Sequence, residues 1–259
     1  MTFDSHAHVH DRSFDADREA ILARAAAAGV GSILTVGCDL ADSERARDVA
    51  ATYGLRWSLG IHPHEAKDAP PDLGSAFAAA IAAAASPPAA IGETGLDYHY
   101  DHSPREVQRE VMRAQVVFAR ARRLPVIFHQ REAFDDFTGL LAQTWDATMR
   151  GVVHCFTGDA EQALRLVNEF GVFLGIGGVV TFKTAGALRE AVAAVGLERI
   201  LLETDCPYLA PVPHRGKRNE PAFIAATAAA VAAVLDVSDR IVIERTTENA
   251  NGLFGFQAT

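Results

Sequence analysis

The sequence is short of cysteine, of positive charge and of long apolar runs, and each shortage excludes something. Three cysteines, Cys38, Cys155 and Cys206, are odd in number and lack CxxC spacing, so neither a disulfide framework nor a thiolate zinc site is indicated. Small, buried, reduced thiols are expected instead. Lys and Arg number 24 against 33 Asp and Glu, a formal charge of −9. That balance argues against a broad footprint on duplex nucleic acid, whose many phosphates need a basic face. It leaves room for a small site holding a phosphate-bearing end. No apolar run reaches the roughly 18 residues of a membrane span, and the N-terminus lacks the basic, apolar and cleavage regions of a secretory signal. A soluble, cytoplasmic protein is expected, with no membrane contact and no obligate protein partner.

What is present suits one barrel. With 259 residues, 49% of them apolar, the chain can bury a substantial core, and a single domain over residues 1–259 is expected. The alanine-rich tracts at 25–28, 78–85 and 225–233 read as ordinary helices. Short β-rich runs recur between helical segments: TFDSH at 2–6, SILTVG at 32–37, RWSLGI at 56–61, AAIGE at 89–93, PVIFH at 125–129, GVVHC at 151–155, GVFLGI at 171–176 and RILLET at 199–204. The helix after the fourth run is expected to start with Ser103 as cap, Pro104 at its first position and Glu106 closing a capping box. Eight such units point to an α/β fold, a TIM-type (β/α)8 barrel, in preference to an open doubly wound sheet.

The histidines and carboxylates fall at the carboxyl ends of these runs. His6 and His8 end the first, His62 and His64 follow the third, Glu93 ends the fourth, His129 the fifth and His154 the sixth, while Asp205 follows the eighth. In a closed barrel those ends share one rim, the usual position of a barrel active site. His6 and His8, two apart on a strand, project to one side and can approach one cation. Six potential N and O ligands, His6, His8, Glu93, His129, His154 and Asp205, exceed what one four-coordinate ion takes from protein. Two divalent ions are the natural reading, with Glu93 as the candidate bridge.

The blocks DSHAHVH, GIHPH, GETGLDYHY, LPVIFHQREA, HCFTGD, ETDCPYLAP, HRGKRNEP and ENANGLFG together resemble the TatD family of metal-dependent deoxyribonucleases, within the amidohydrolase-like barrel superfamily. The likeness spans nearly the whole chain. It implies a (β/α)8 barrel with a divalent metal centre that hydrolyses phosphodiester bonds of DNA, from the 3′ end of single strands. It also implies that His6, His8 and Asp205 hold one ion and His129 and His154 the other, with Glu93 between them. Asp205 is then also the candidate general base for water. Ala7, Val9 and His10 stand where the family more commonly has Cys, Leu and Asp, and Gln130 where a Ser usually follows. None removes a ligand, and His10 is expected to be an exposed loop residue. Imidazoles favour Zn²⁺ or Mn²⁺, whereas the resemblance suggests activity with Mg²⁺.

The basic segment His214 to Arg218 follows Asp205 closely, and a phosphodiester site needs both signs. Arg215 offers a planar fork for phosphate oxygens, and Gly216 allows close backbone approach. His64 is the other candidate substrate contact, whereas His62 is expected to pack at the barrel end. Arg131 reads equally as a substrate contact or as a partner of Glu132, and Lys183 as an anion contact or part of a loop. Asn219 and Glu220 are expected to cap a helix starting near Pro221. Tyr98 and Tyr208 are candidate base-stacking residues, though packing against the rim is the commoner role. Asp97 is expected either to bond a ligand histidine or to pin its loop.

Two other functions compete. One keeps barrel and metals but hydrolyses a small amide, ester or lactone; the basic segment, and the lack of a lysine where Glu93 stands, count against it. The other is a metal-stabilised binding protein without turnover, which would have filled coordination and no open position for water.

Overall fold

The computed structural model describes residues 1–255. Eight parallel strands, in the sheet order β1 to β8, alternate with helices in a nearly closed (β/α)8 barrel. The strands are β1 (Thr2–Ala7), β2 (Val30–Thr35), β3 (Arg56–Leu59), β4 (Ala90–Asp97), β5 (Val126–Arg131), β6 (Gly151–Val153), β7 (Phe173–Ile176) and β8 (Ile200–Leu202). The helices are α1 (Arg18–Ala27), α2 (Leu40–Tyr53), α3 (Leu73–Ala82), α4 (Arg105–Arg122), α5 (Phe134–Thr144), α6 (Ala160–Phe170), α7 (Gly186–Val195), α8 (Ile224–Leu235) and α9 (Asp239–Phe254). Among the described residues, no single helix is long and apolar enough to cross a membrane. Backbone proximity divides the chain into two compact units, Met1–Thr35 with Cys155–Thr259, and Val36–His154.

In the first unit, β1 pairs with β2 and β7 with β8. Side chains alternate across a strand, so Phe3 and Ser5 share one face of β1 while Asp4 and His6 share the other. Phe3 packs against Phe254 of α9, ring centroids 6.1 Å apart, and both are buried. That anchor fixes which way His6 projects. Asp159 caps α6 by accepting the Gln162 amide, and Gly171 ends that helix in the left-handed region at φ 66°, where glycine pays no Cβ penalty.

In the second unit, β3 to β6 pair in succession. Phe128 of β5 is fully buried against Phe137 and Trp145, at 5.3 and 5.4 Å between centroids. Its neighbour His129 is thereby sent to the opposite face. Phe128→Ala would cost about 3–5 kcal/mol by opening a cavity and would release His129 from that register.

Two expectations are corrected here. Glu93 does not end its strand: β4 runs on to Asp97, with Gly95 opposite His129 and Asp97 opposite Arg131. A Cβ at Gly95, where φ is 151°, would lie 1.8 Å from the His129 carbonyl oxygen. Glycine is required at Gly92 and Gly95 because β4 and β5 approach too closely there for a side chain. The capping box is also absent. Helix α4 starts at Arg105 with Pro104 before it and no side-chain cap, because the Ser103 hydroxyl is occupied. It donates to the His64 carbonyl at 2.8 Å and accepts the Lys67 amide at 3.1 Å.

Candidate metal centre

The first unit brings together His6, His8 and Asp205. The Nε2 atoms of His6 and His8 lie 3.3 Å apart, and Asp205 Oδ1 lies 3.9 and 3.5 Å from them respectively. All three residues are buried. Main-chain bonds set this geometry: the Asp205 amide donates to the His6 carbonyl at 2.9 Å and the His8 amide to the Cys206 carbonyl at 2.8 Å. Asp205 adopts φ 56°, a left-handed conformation that Asp tolerates better than most residues but at some cost. Below His6 on the same face of β1, Asp4 accepts the amide and hydroxyl of Thr204 at 2.9 and 2.6 Å. Burial outweighs those bonds and pushes the Asp4 carboxyl up to about 7.

The second unit gathers its groups around one carboxylate oxygen. Glu93 Oε1 lies 2.6 Å from His154 Nε2, 3.1 Å from His129 Nδ1 and 3.4 Å from His62 Nε2. Asp97 stands behind them. Its Oδ2 is 3.0 Å from His129 Nε2 and 3.1 Å from His64 Nε2, while its Oδ1 accepts the amides of His99 and Tyr100. Asp97 thus both holds a site histidine and pins its loop. Burial favours its neutral form, but the bonds from His129, Tyr100 and His64 prevail and hold it well below the usual carboxylate range.

These partners fix which ring nitrogens carry protons. In the neutral ring, donation from His129 Nε2 to Asp97 leaves the Nδ1 lone pair facing Glu93 Oε1. Two acceptors at that distance repel unless a proton or a cation lies between them. Burial lowers the His129 pKa, yet Asp97 and Glu93 raise it overall, the mark of a position that draws positive charge. The donor set therefore fits a divalent ion, with His129, His154 and Glu93 to hold it. His62 differs, because its Nδ1 accepts the His64 amide at 3.1 Å. Its proton then sits on Nε2 and faces Glu93, as a donor and not as a metal ligand, although it is grouped closely with Glu93 and His129. Burial, opposed by Glu93, lowers its pKa to about 4 and keeps the ring neutral.

His62 is thus more than packing at the barrel end. Its signal was available, since His62 and His64 repeat the spacing of His6 and His8. His10 is buried, not exposed, with Nδ1 2.7 Å from the Thr35 hydroxyl. Arg215 lies over the Phe182 ring at 3.8 Å, while Arg218 is committed to Asp17 at 2.5 Å and to the Ser13 carbonyl. Arg131 sits over Tyr100, at 4.8 Å from its centroid, and Glu132 pairs with His99 instead. Lys183 follows the 3-10 turn Gly178–Thr181. Asn219 caps no helix; its amide donates to the carbonyls of Thr204 and Tyr208 at 2.7 and 2.6 Å, and Glu220 pairs with Arg24. Tyr98 is tied through its hydroxyl to Asp136 and Arg109, whereas Tyr208 is 56% exposed and meets the His8 ring edge-on at 6.0 Å. Cys206 is buried, as expected, but Cys38 and Cys155 are partly exposed.

Barrel and donor set together define a metal-dependent hydrolase. A family model described as TatD related DNase matches residues 3–255, and the chain belongs to the TatD family. It is 40% identical over 256 residues to the uncharacterized metal-dependent hydrolase YabD of Bacillus subtilis, covering 98% of this chain and 99% of that one. It is 36% identical over 261 residues to a Klebsiella pneumoniae protein named 3′-5′ ssDNA/RNA exonuclease TatD, covering 98% and 97%. Among solved structures, the TatD homologue YjjV of Escherichia coli K12 matches at a TM-score of 0.91 and 30% identity, covering 98% of each chain.

Proposed function

We propose that the protein is a cytoplasmic 3′-5′ exonuclease that hydrolyses phosphodiester bonds at the ends of single-stranded DNA, with the whole chain acting as one catalytic domain. The observation that carries this reading is the convergence on Glu93 Oε1 of His154 Nε2 at 2.6 Å and His129 Nδ1 at 3.1 Å. The name of the Klebsiella relative supports the substrate class.

In this reading His6, His8 and Asp205 would hold one divalent ion and His129 and His154 a second, with Glu93 serving both. Mg²⁺, Mn²⁺ or Zn²⁺ bound there would polarise a phosphoryl oxygen and make water acidic enough to attack near neutral pH. Asp205 orients the attacking water and takes its proton. His62 steadies Glu93 through Nε2–H. Asp97 holds His129 with Nδ1 toward Glu93, where it would serve an ion. His64 and Arg215 contact the substrate. Arg215 has no ion pair among the described residues, and stacking on Phe182 leaves the edge of its fork open for phosphate oxygens.

Metal-stripped protein incubated with 5′-labelled single-stranded DNA tests the reading. Stepwise shortening from the 3′ end is expected on resupply of a divalent ion. Folded protein that shortens nothing with Mg²⁺, Mn²⁺ or Zn²⁺ would refute it.

A further inference from the structure

The loop after β4 carries a tyrosine whose ring neither burial nor a hydroxyl hydrogen bond among the described residues holds in place. Tyr100 is 51% exposed, and among the described residues its hydroxyl has no hydrogen-bond partner. Yet its ring is held by four side chains. The Arg131 guanidinium lies 4.8 Å from its centroid, His102 stacks nearly parallel at 5.5 Å and 9°, and His64 and His99 meet it edge-on at 5.5 and 4.7 Å. Its amide is pinned by Asp97, the carboxylate that also holds His129. A half-exposed aromatic ring held in place beside the candidate metal centre suits a planar ligand.

His64 supplies the second half of the pattern. Its Nε2 faces Asp97 Oδ2, a carboxylate oxygen that only accepts, so the proton sits on Nε2 and Nδ1 is a lone-pair acceptor. Among the described residues nothing donates to that Nδ1. The ring lies 4.4 Å from that of His62 and 6.2 Å from that of His129, one side chain away from Glu93. An acceptor at that distance repels a phosphate oxygen and receives a hydroxyl.

We infer that Tyr100 and His64 form the subsite for the 3′-terminal nucleoside, Tyr100 stacking on its base and His64 Nδ1 accepting the hydrogen bond of its free 3′-hydroxyl. This rests on the exonuclease reading and deepens it: the pair selects unmodified 3′ ends and makes a 3′-phosphate a poor terminus. The phosphate contact falls to Arg215, and His64 reads the end.

The test compares wild type, His64→Leu, Tyr100→Ala and Tyr100→Phe in Mn²⁺-loaded form. The single-stranded oligonucleotides end in a 3′-hydroxyl, a 3′-deoxy position, a 3′-phosphate or an abasic 3′-hydroxyl residue. Wild type is expected to prefer the 3′-hydroxyl over the 3′-deoxy end by about 5-fold, in KM, the reach of one neutral hydrogen bond. His64→Leu should erase that preference, which a merely structural loss would leave intact. Tyr100→Ala should raise KM for the base-bearing end by about 10-fold and leave the abasic end unchanged, while Tyr100→Phe behaves as wild type. Cleavage with no preference between 3′-hydroxyl and 3′-deoxy ends, or equal losses on base-bearing and abasic ends, overturns the subsite and leaves the nuclease standing. If nothing is cleaved, a phosphorothioate oligonucleotide with 2-aminopurine at its 3′ end decides. Quenching by wild type that Tyr100→Ala abolishes keeps the subsite and sinks the nuclease; no quenching sinks both.

Discussion

Each unit keeps a buried carboxylate close to its site histidines, and the two are used in opposite ways. Asp4, in the first unit, accepts bonds from neutral Thr204 groups, and burial pushes it up to about 7. Asp97, in the second, accepts from two imidazoles and two amides and is held below the usual carboxylate range despite its burial. The first unit sets its ligands by main-chain bonds between β1 and the segment after β8. The second sets them by side chains, with Asp97 choosing the tautomer of His129. Side-chain substitution should therefore loosen the second arrangement far more than the first, with the main-chain frame of β1 left as it is.

The largest effect is expected at Glu93, the carboxylate proposed to serve both groups of ligands. Glu93→Ala should lower kcat by about 10³-fold or more, with folding followed by circular dichroism; a folded variant retaining a tenth of wild-type turnover would show that Glu93 is not shared. Next, Asp97→Asn removes one acceptor oxygen from a carboxylate that serves four donors. The Mn²⁺ concentration for half-maximal activity should rise about 10- to 100-fold, with kcat recovering at high metal; an unchanged metal requirement would end the contrast drawn here. Arg215→Ala should raise KM for DNA about 10-fold with little change in kcat. A fall in kcat alone would move Arg215 from binding to chemistry.

The smallest effect on activity belongs to Asp4. Its folded pKa of about 7 lies above the unfolded value near 3.8, so between those values the folded state binds more protons than the unfolded one. Stability of metal-free protein should then fall as pH rises from about 4 to about 7 and level off above, by at most about 4 kcal/mol. Asp4→Asn should flatten that slope, leaving the metal requirement unchanged. Urea denaturation of both proteins at pH 5 and pH 8 reads it directly, and parallel slopes would assign the pH dependence to another group.

The barrel was legible in the sequence because eight apolar runs alternate with helical segments, and the ligand candidates stood out because histidines and acids fall near the ends of those runs. Less visible was anything that depends on which partner a polar group finds. Ser103 has the residue type and spacing of a helix cap, yet the turn carrying His64 and Lys67 takes its hydroxyl. Glu93 closes the apolar run AAIGE in the sequence, whereas β4 continues past it, with Gly92 and Gly95 marking its close approach to β5. His62 and His64 look alike in GIHPH, but a backbone amide on one Nδ1 and, among the described residues, none on the other give them opposite faces toward a substrate. Tyr98 was the conspicuous aromatic of its block, and the exposed ring proved to be Tyr100, two residues further along.

Both groups of ligands are proposed to serve one two-ion hydrolytic centre. The most direct test follows hydrolysis of 5′-labelled single-stranded DNA as Mn²⁺ is titrated into metal-stripped wild type and Asp205→Asn. Activity that climbs to a plateau at two ions per chain, with the variant inert throughout, is the predicted result. Saturation at one ion, or an Asp205→Asn protein as active as wild type, would contradict it.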